Sequence, residues 1–396
     1  MSTAPDLSLF RPTVAQIDVG AFRRNLSSVA SALPPGSRLI AVLKADAYGH
    51  GAVELASRCV GSETAMIAVA LLEEALELRD CGIDRPILVL GPLLPAQIAA
   101  AIEASITIGV VGPEELQAVC DLASRPISIH LKLDSGMGRM GLVGDDLGAA
   151  IETLRRAPNV RVEAIYTHFA NASDPADPFT SIQTERFDGM VATLRSAGIE
   201  ASLHHMANSA ATARRLVRPG DLVRVGIALY GAEPLDHGGG RLAPALRWIT
   251  RVVRLKQLPP GEGIGYGTTF HTTRPSRIAT LPVGYADGYD RSLSNSGQVL
   301  VRGLRAPVVG RVSMDLVTID LTDIPDAALG DEVVLLGRQG DEEISAEELA
   351  RKTDTISYEV FCRISARVPR VYHDADGPAV RSRFNAPIGY LQTRPR

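Results

Sequence analysis

Cysteine is scarce in this 396-residue chain: Cys59, Cys81, Cys120 and Cys362 are the four present, and no two form a C-x-x-C pair. That spacing excludes the common zinc and dithiol motifs, and a chain of this size needs no disulfides to hold a core, so a reducing compartment fits. No stretch of roughly 18 uncharged apolar residues occurs, which excludes a membrane-spanning helix. The opening M-S-T-A-P-D-L-S-L-F-R-P lacks the basic and apolar regions of a secretion signal, so a cytoplasmic protein is expected. A charge excess is missing too: 41 Lys and Arg against 45 Asp and Glu give a formal net charge of -4, and so no electrostatic case for nucleic acid or an anionic membrane. His204 and His205 have no third ligand at metal spacing and read as structural, so no metal site is expected. With no repeat or low-complexity tract either, the expected partners are a small molecule and another copy of the chain.

What is present is alternation. From Leu39 onward, apolar runs rich in β-branched residues recur: L-I-A-V-L-K-A, M-I-A-V-A, I-L-V-L-G, I-T-I-G-V, I-S-I-H-L-K-L-D, V-R-V-E-A-I-Y-T-H-F, A-S-L-H-H-M-A and L-V-R-V-G-I-A-L-Y-G. Segments between them, such as Leu71 to Gly82 and Gly112 to Ala123, carry helical spacing, first-turn acids and a closing small residue. Eight strand–helix units in about 200 residues predict a (β/α)8 TIM-type barrel over residues 1–244. After H-G-G-G (His237–Gly240), a candidate hinge, strand-like pieces follow with one helix, I-S-A-E-E-L-A-R-K-T-D, among them. A mainly β C-terminal domain is expected over 245–396.

Barrel enzymes work at the C-terminal ends of their strands. Here those ends carry Lys44 with Tyr48 beyond it, Lys132 leading to Arg139, His168, Asn208 with Ser209, and Arg224 followed by Gly226. Lys44 follows apolar residues, and desolvation at a partly dry barrel mouth would favour its neutral, nucleophilic amine, able to form a Schiff base.

A-V-L-K-A-D-A-Y-G-H-G (Ala41–Gly51) resembles the pyridoxal-phosphate attachment segment of the alanine racemase family. The match continues in order through L-D-S-G-M-G-R-M-G, Y-T-H-F-A, M-A-N-S-A, V-R-V-G-I-A-L-Y-G, G-I-G-Y-G-T-T-F, V-G-Y-A-D-G-Y, G-R-V-S-M-D and I-S-Y-E-V-F-C-R-I-S-A-R-V-P-R, spanning both domains. The resemblance implies pyridoxal 5'-phosphate as cofactor, held covalently by Lys44, and a two-base interconversion of L- and D-alanine by Lys44 and Tyr266. It implies a head-to-tail homodimer in which the C-terminal domain completes the partner's site. His168 and Arg224 would support catalysis, Arg224 facing the pyridine nitrogen. Tyr48, Asn208, Ser209, Gly226, Ile227 and Tyr358 would hold the cofactor together with Lys44, His168 and Arg224. Arg139 and the backbone of Met314 would receive the substrate, and Lys132 is the position of a carbamylated lysine. D-Alanine would feed peptidoglycan synthesis, or L-alanine catabolism.

Removing a proton from one face of a carbon and returning one to the other suits two acid/base groups on opposite sides. A tyrosine, with a reference pKa near 10, needs neighbours that favour its phenolate. Arginine cannot accept a proton, so Arg224 would keep the pyridine nitrogen unprotonated. Alternatives within the class are a racemase of broader range and a decarboxylase of the same fold, which would favour an acid at that nitrogen. A non-catalytic pyridoxal-phosphate carrier would be expected to be the barrel alone. The loop after His168 departs from the family by reading N-A-S-D-P, with Ser173 before Asp174. The G-x-G-x-x-G of Gly136, Gly138 and Gly141, with Glu163 downstream, spells a dinucleotide fingerprint. It follows the fifth strand rather than a first one, however, and Arg139 and Met140 stand where the backbone would have to approach a pyrophosphate, so it reads as a substrate-anchoring loop.

Overall fold

The computed structural model describes residues 11–59, 61, 63–234, 242–374 and 377–381, and the candidate hinge His237–Gly240 lies outside them. The chain forms two compact units: one comprises Arg23–Ala47 and Gly51–Ala243, the other the residues up to Phe22, Tyr48–His50 and those from Pro244 on. The N-terminal strand β1 (Val14–Asp18) belongs to the second of these.

In the first unit the eight expected strands are all present: β2 (Arg38–Val42), β3 (Thr64–Val69), β4 (Ile87–Val89), β5 (Thr107–Val110), β6 (Ile127–Lys132), β7 (Val160–Tyr166), β8 (Leu203–His205) and β9 (Leu222–Val225). They pair in parallel in chain order, and β9 returns to pair with β2. The remaining seam is bridged by the Arg224 N–H, which donates to the Ala207 carbonyl at 2.9 Å, so the sheet nearly closes on itself. Strands covered on both faces are largely apolar, and Leu39, Ile40, Ala41, Ile67, Ala68, Ile87, Leu88 and Val89 are wholly buried. The intervening helices begin where the sequence marks them. Pro95 and Pro113 open Pro95–Glu103 and Pro113–Leu122, where a missing N–H costs nothing, and the acids Glu73, Glu74, Glu114 and Glu115 sit in first turns.

The second unit is built on β10 (Leu246–Arg251), β11 (Arg254–Leu258), β12 (Gly263–Ile264), β13 (Phe270–His271), β14 (Ser276–Leu281), β15 (Gln298–Val301), β16 (Leu304–Pro307), β17 (Val317–Asp320), β18 (Glu332–Gln339), β19 (Glu342–Ile344), β20 (Arg370–Asp374) and β21 (Gly377–Arg381). The larger sheet runs β16-β15-β18-β10-β1-β20-β21, with β19 on β18; a smaller one is β11-β14-β17. Two readings need correction. The run A-P-V-V-G-R-V-S-M-D-L-V-T-I-D-L is not one strand: β16 and β17 are separated by a loop that carries Met314. A second helix, Ser357–Arg363, joins the expected one at Ala346–Lys352; its Y-E-V-F-C sequence has the residue types of a strand, but Phe361 turns inward at helical spacing from Ser357.

Candidate active site at the barrel mouth

Lys44 lies two residues beyond β2 and opens an unusual turn. Over Lys44–Gly49 the helical coil is left-handed: Ala45, Asp46, Ala47 and Tyr48 have φ of 53°, 51°, 54° and 53°, and Gly49 77°. Left-handed helix costs an L-residue about 1–2 kcal/mol, so four in succession store roughly 4–8 kcal/mol that the surroundings must offset. Ala47 N–H donates to the Leu43 carbonyl (2.8 Å), Gly51 N–H to the Asp46 carbonyl (2.8 Å), and Ala52 N–H to the Asp46 carboxylate (2.7 Å). Gly49 is required where it stands, because a Cβ there would lie 2.6 Å from the Phe361 carbonyl oxygen.

Across the barrel, Arg224 of β9 is buried and bonded through both Nη atoms. Nη1 reaches His205 Nδ1 (2.7 Å) and the His205 carbonyl (2.6 Å); Nη2 reaches the Thr167 carbonyl (2.6 Å) and His168 Nδ1 (3.0 Å). A guanidinium only donates, so both histidine Nδ1 atoms must accept, and each ring carries its proton on Nε2. His205 Nε2–H then donates to His130 Nδ1 at 2.9 Å, which leaves the His130 proton on Nε2, facing Glu163 Oε2 at 3.8 Å. The Tyr166 ring stacks on His205 with centroids 4.5 Å apart, and the guanidinium lies 5.4 Å from the same ring. Burial pulls Arg224 down to about 10, still protonated near neutrality. Burial, reinforced by the charge of Arg224, also drives His168 and His205 well below the ordinary imidazole range, so both are neutral.

His205, read from sequence as structural, is thus the orienting partner of Arg224, and His130 and Glu163 extend the chain. The signal was present: His130 and Lys132 lie two apart on β6, and positions two apart share one face of a strand.

A pH dependence of stability follows. Each neutral histidine has a native pKa below its unfolded value near 6.5, so its contribution is complete above about pH 6.5 and is lost as pH falls toward the native pKa. Stability should fall by up to about 1.4 kcal/mol per pH unit for each histidine in that window. Thermal melts of wild type and His205→Asn between pH 7 and 4.5 should show a shallower acid slope in the variant; identical slopes would contradict the assignment.

Lys132, at the end of β6, is buried among cations; desolvation first, then Arg224 and Arg139, bring its amine down to about 8. The glycine-rich loop wraps Asp134, whose carboxylate accepts N–H bonds from Gly136 (2.9 Å), Gly138 (3.1 Å) and Arg139 (3.1 Å). Burial opposes ionisation there, but these donors outweigh it and hold Asp134 below the usual carboxylate range. The N–H groups that would cradle a pyrophosphate are already taken by a carboxylate, and no helix starts in the loop. Gly141, at φ 122°, is held against the Asp134 amide, 2.7 Å from where a Cβ would sit, which bends the loop so that Arg139 stands exposed.

Asn208 caps the short helix Ser209–Ala213 through its side chain (Ala211 N–H, 2.9 Å), and Ser209 Oγ accepts from Gly226 N–H at 3.1 Å. Ile227 opens a 3-10 turn, whose first N–H groups have no partner within the turn. A buried hydroxyl beside first-turn amides suits a phosphate, and a lysine and a donor-only arginine on the same unit suit an aldehyde and a pyridine nitrogen; the donor set therefore fits pyridoxal phosphate.

The other candidates lie on the second unit. Tyr48 and Tyr358 pack with ring centroids 5.9 Å apart, and burial raises both phenol pKa values. Tyr266 and Met314 are exposed, at 73% and 52%. The Met314 turn is braced by Ala286 N–H donating to the Met314 carbonyl (3.0 Å), a contact that only glycine permits at 284, where a Cβ would meet that oxygen at 2.3 Å. Buried Asp287, unnoticed in the sequence, receives Arg11 and Arg367 beneath the same turn.

A nearly closed parallel barrel with a lysine, an arginine–histidine pair and phosphate-suited amides at its strand ends, followed by a β unit, defines a barrel enzyme acting on a small substrate. The chain belongs to the alanine racemase family: the alanine racemase N-terminal domain matches residues 17–234 and the C-terminal domain 245–372. It is accordingly an amino-acid racemase, an isomerase that interconverts L- and D-alanine; the family uses pyridoxal phosphate. It is 43% identical to the alanine racemase of Halothermothrix orenii over 93% of this chain and 98% of that one, and 45% identical to that of Symbiobacterium thermophilum with the same coverage. The crystal structure of the Bacillus anthracis alanine racemase with bound L-Ala-P has a TM-score of 0.90 at 38% identity, covering 97% of this chain and 100% of that chain. Among the described residues no helix is long and apolar enough to cross a membrane.

Proposed function

We propose that Lys44 and Tyr266 of the partner subunit are the two acid/base groups of alanine racemisation, in a homodimer that shares its sites. The observation that carries this reading is the Arg224 anchor: a guanidinium can only donate toward a ring nitrogen, and its bonds to His205 and His168 fix it in place and put a proton on His168 Nε2. That N–H can bond a phenol oxygen and favour its ionised form. Pyridoxal phosphate, when bound, supplies an aldehyde that condenses with amines and a conjugated ring that withdraws electrons from the substrate α-carbon.

Lys44 would hold that aldehyde and move a proton on one face of the α-carbon; Tyr266 of the partner subunit would do so on the other. Ser209, Gly226 and Ile227, with Asn208 beside them, would hold the phosphate, joined by the hydroxyls of Tyr48 and Tyr358. Arg139 would bind the substrate carboxylate and the Met314 backbone would close a pocket of methyl size. Lys132, with its amine near 8, has a neutral fraction able to take up carbon dioxide and become an anionic partner for Arg139. The enzyme would act in the cytoplasm, supplying D-alanine for peptidoglycan or L-alanine for catabolism.

Borohydride reduction followed by peptide mass spectrometry should place the pyridoxyl group on Lys44, and an adduct elsewhere would overturn the assignment. In deuterated buffer, α-hydrogen exchange should be at least about tenfold faster for alanine than for serine or lysine, since each mismatched group in a tight pocket costs about 1–3 kcal/mol. Equal rates would point to a racemase of broader range.

A further inference from the structure

We infer that Glu74 is a positioning residue for Lys44, holding the left-handed turn that presents the lysine; this rests on the reading of Lys44 as the cofactor-bearing residue. Glu74 is the third residue of the helix Leu72–Asp80, and its carboxylate serves two loops at once. Oε2 accepts from Ala70 N–H (2.8 Å) and Leu71 N–H (3.1 Å), at the end of β3. Oε1 accepts from Ala45 N–H at 2.5 Å, in the loop after β2. Ala45 is the first left-handed residue of the turn and the immediate neighbour of Lys44, so the bond fixes the peptide on which the lysine side chain pivots.

Two positions further round the barrel the same device recurs without the strained turn. Glu115, again third in its helix, accepts from Leu93 N–H and Val111 N–H, both at 2.7 Å, and so stitches the loops after β4 and β5. A carboxylate in this position thus fastens adjacent loops at two places in the barrel, and at Glu74 one of those loops carries Lys44. Asp46 holds the far end of the turn through Ala52 and Gly51. Neither alanine at 45 or 47 has a side chain that could stabilise a positive φ, so the conformation depends on these outside acceptors.

Hydrogen exchange of the pyridoxal-phosphate-loaded enzyme, read on peptides covering residues 44–49, tests this directly, together with the rate at which cofactor is released on dilution. Glu74→Ala should exchange at the Ala45 amide at least tenfold faster than wild type and release cofactor at least tenfold faster. Glu74→Gln, which keeps one acceptor oxygen, should fall between, and should serve where Glu74→Ala is too unstable to purify. Glu73→Ala, an exposed acid in the same first turn, should match wild type. Wild-type exchange and release in both Glu74 variants would overturn the inference. So would a rise spread evenly over the barrel with no excess at 44–49, since that is the signature of a helix cap alone. If Lys44→Ala still yields a borohydride-fixed cofactor, the reading of Lys44 fails separately, while the exchange at Ala45 continues to judge Glu74.

Discussion

Lys44→Ala should reduce racemisation by at least about 10⁴-fold and leave no borohydride-reducible cofactor adduct. Two losses combine in that figure. The amine that holds the aldehyde disappears, and with it the group that moves the proton on one face of the α-carbon. The turn itself should survive, because the Asp46 carbonyl and carboxylate, the Leu43 carbonyl and the Glu74 carboxylate, which accept its N–H bonds and those of its neighbours, all remain. A folded variant with wild-type circular dichroism and melting, yet inert, is therefore the expected result. Substantial activity would mean that another amine does the work; the candidate would be Lys132, the other lysine at a strand end, whose amine is near 8.

Tyr266→Phe should cost about 10²–10⁴-fold in kcat, the usual contribution of a positioned acid/base group, and the loss should be visible in which hydrogen exchanges. With the hydroxyl gone from one face, the Lys44 face still works. One enantiomer of alanine should then exchange its α-hydrogen with deuterated solvent far faster than it inverts, whereas wild type exchanges and inverts together. Tyr266 is exposed on its own unit, so the substitution should leave the melting temperature of the chain within about 1 °C, in keeping with surface replacements. Full retention of racemase activity would remove Tyr266 from the mechanism and would favour a cofactor carrier.

The barrel was legible because its strands are short apolar runs buried on both faces, separated by helices that announce themselves with Pro95, Pro113 and first-turn acids. β1 was not: V-A-Q-I-D is five residues long, and only distant partners, β10 and β20, make it a strand. The helix at Ser357–Arg363 was missed because Tyr358, Val360 and Phe361 are strand-favouring residues overridden by tertiary packing. At the site, Lys44, Arg139, His168 and Arg224 stood out as polar groups ending apolar runs, and the ordered motifs supplied Tyr266 and Met314. The left-handed turn could not be read, since Ala45, Asp46, Ala47 and Tyr48 do not jointly signal positive φ. Nor could the bond to Glu74, whose carboxylate lies 29 residues from Ala45 in sequence. The tautomers of His168, His205 and His130 required geometry, because each proton is placed by what its neighbour can accept.

The placement of β1 has a consequence for how the molecule is made. Among the described strands it is made before all the others, yet it pairs antiparallel with β10 and parallel with β20, Ala15 against Arg370. At about 5–20 residues per second, roughly 20–70 s separate its synthesis from that of its last neighbour. The barrel strands β2 to β9 are complete well before then, so they can fold while β1 waits with its backbone unpaired. Ribosome-associated chaperones would meet this protein as a barrel preceded by a five-residue strand that has not yet found either of its neighbours.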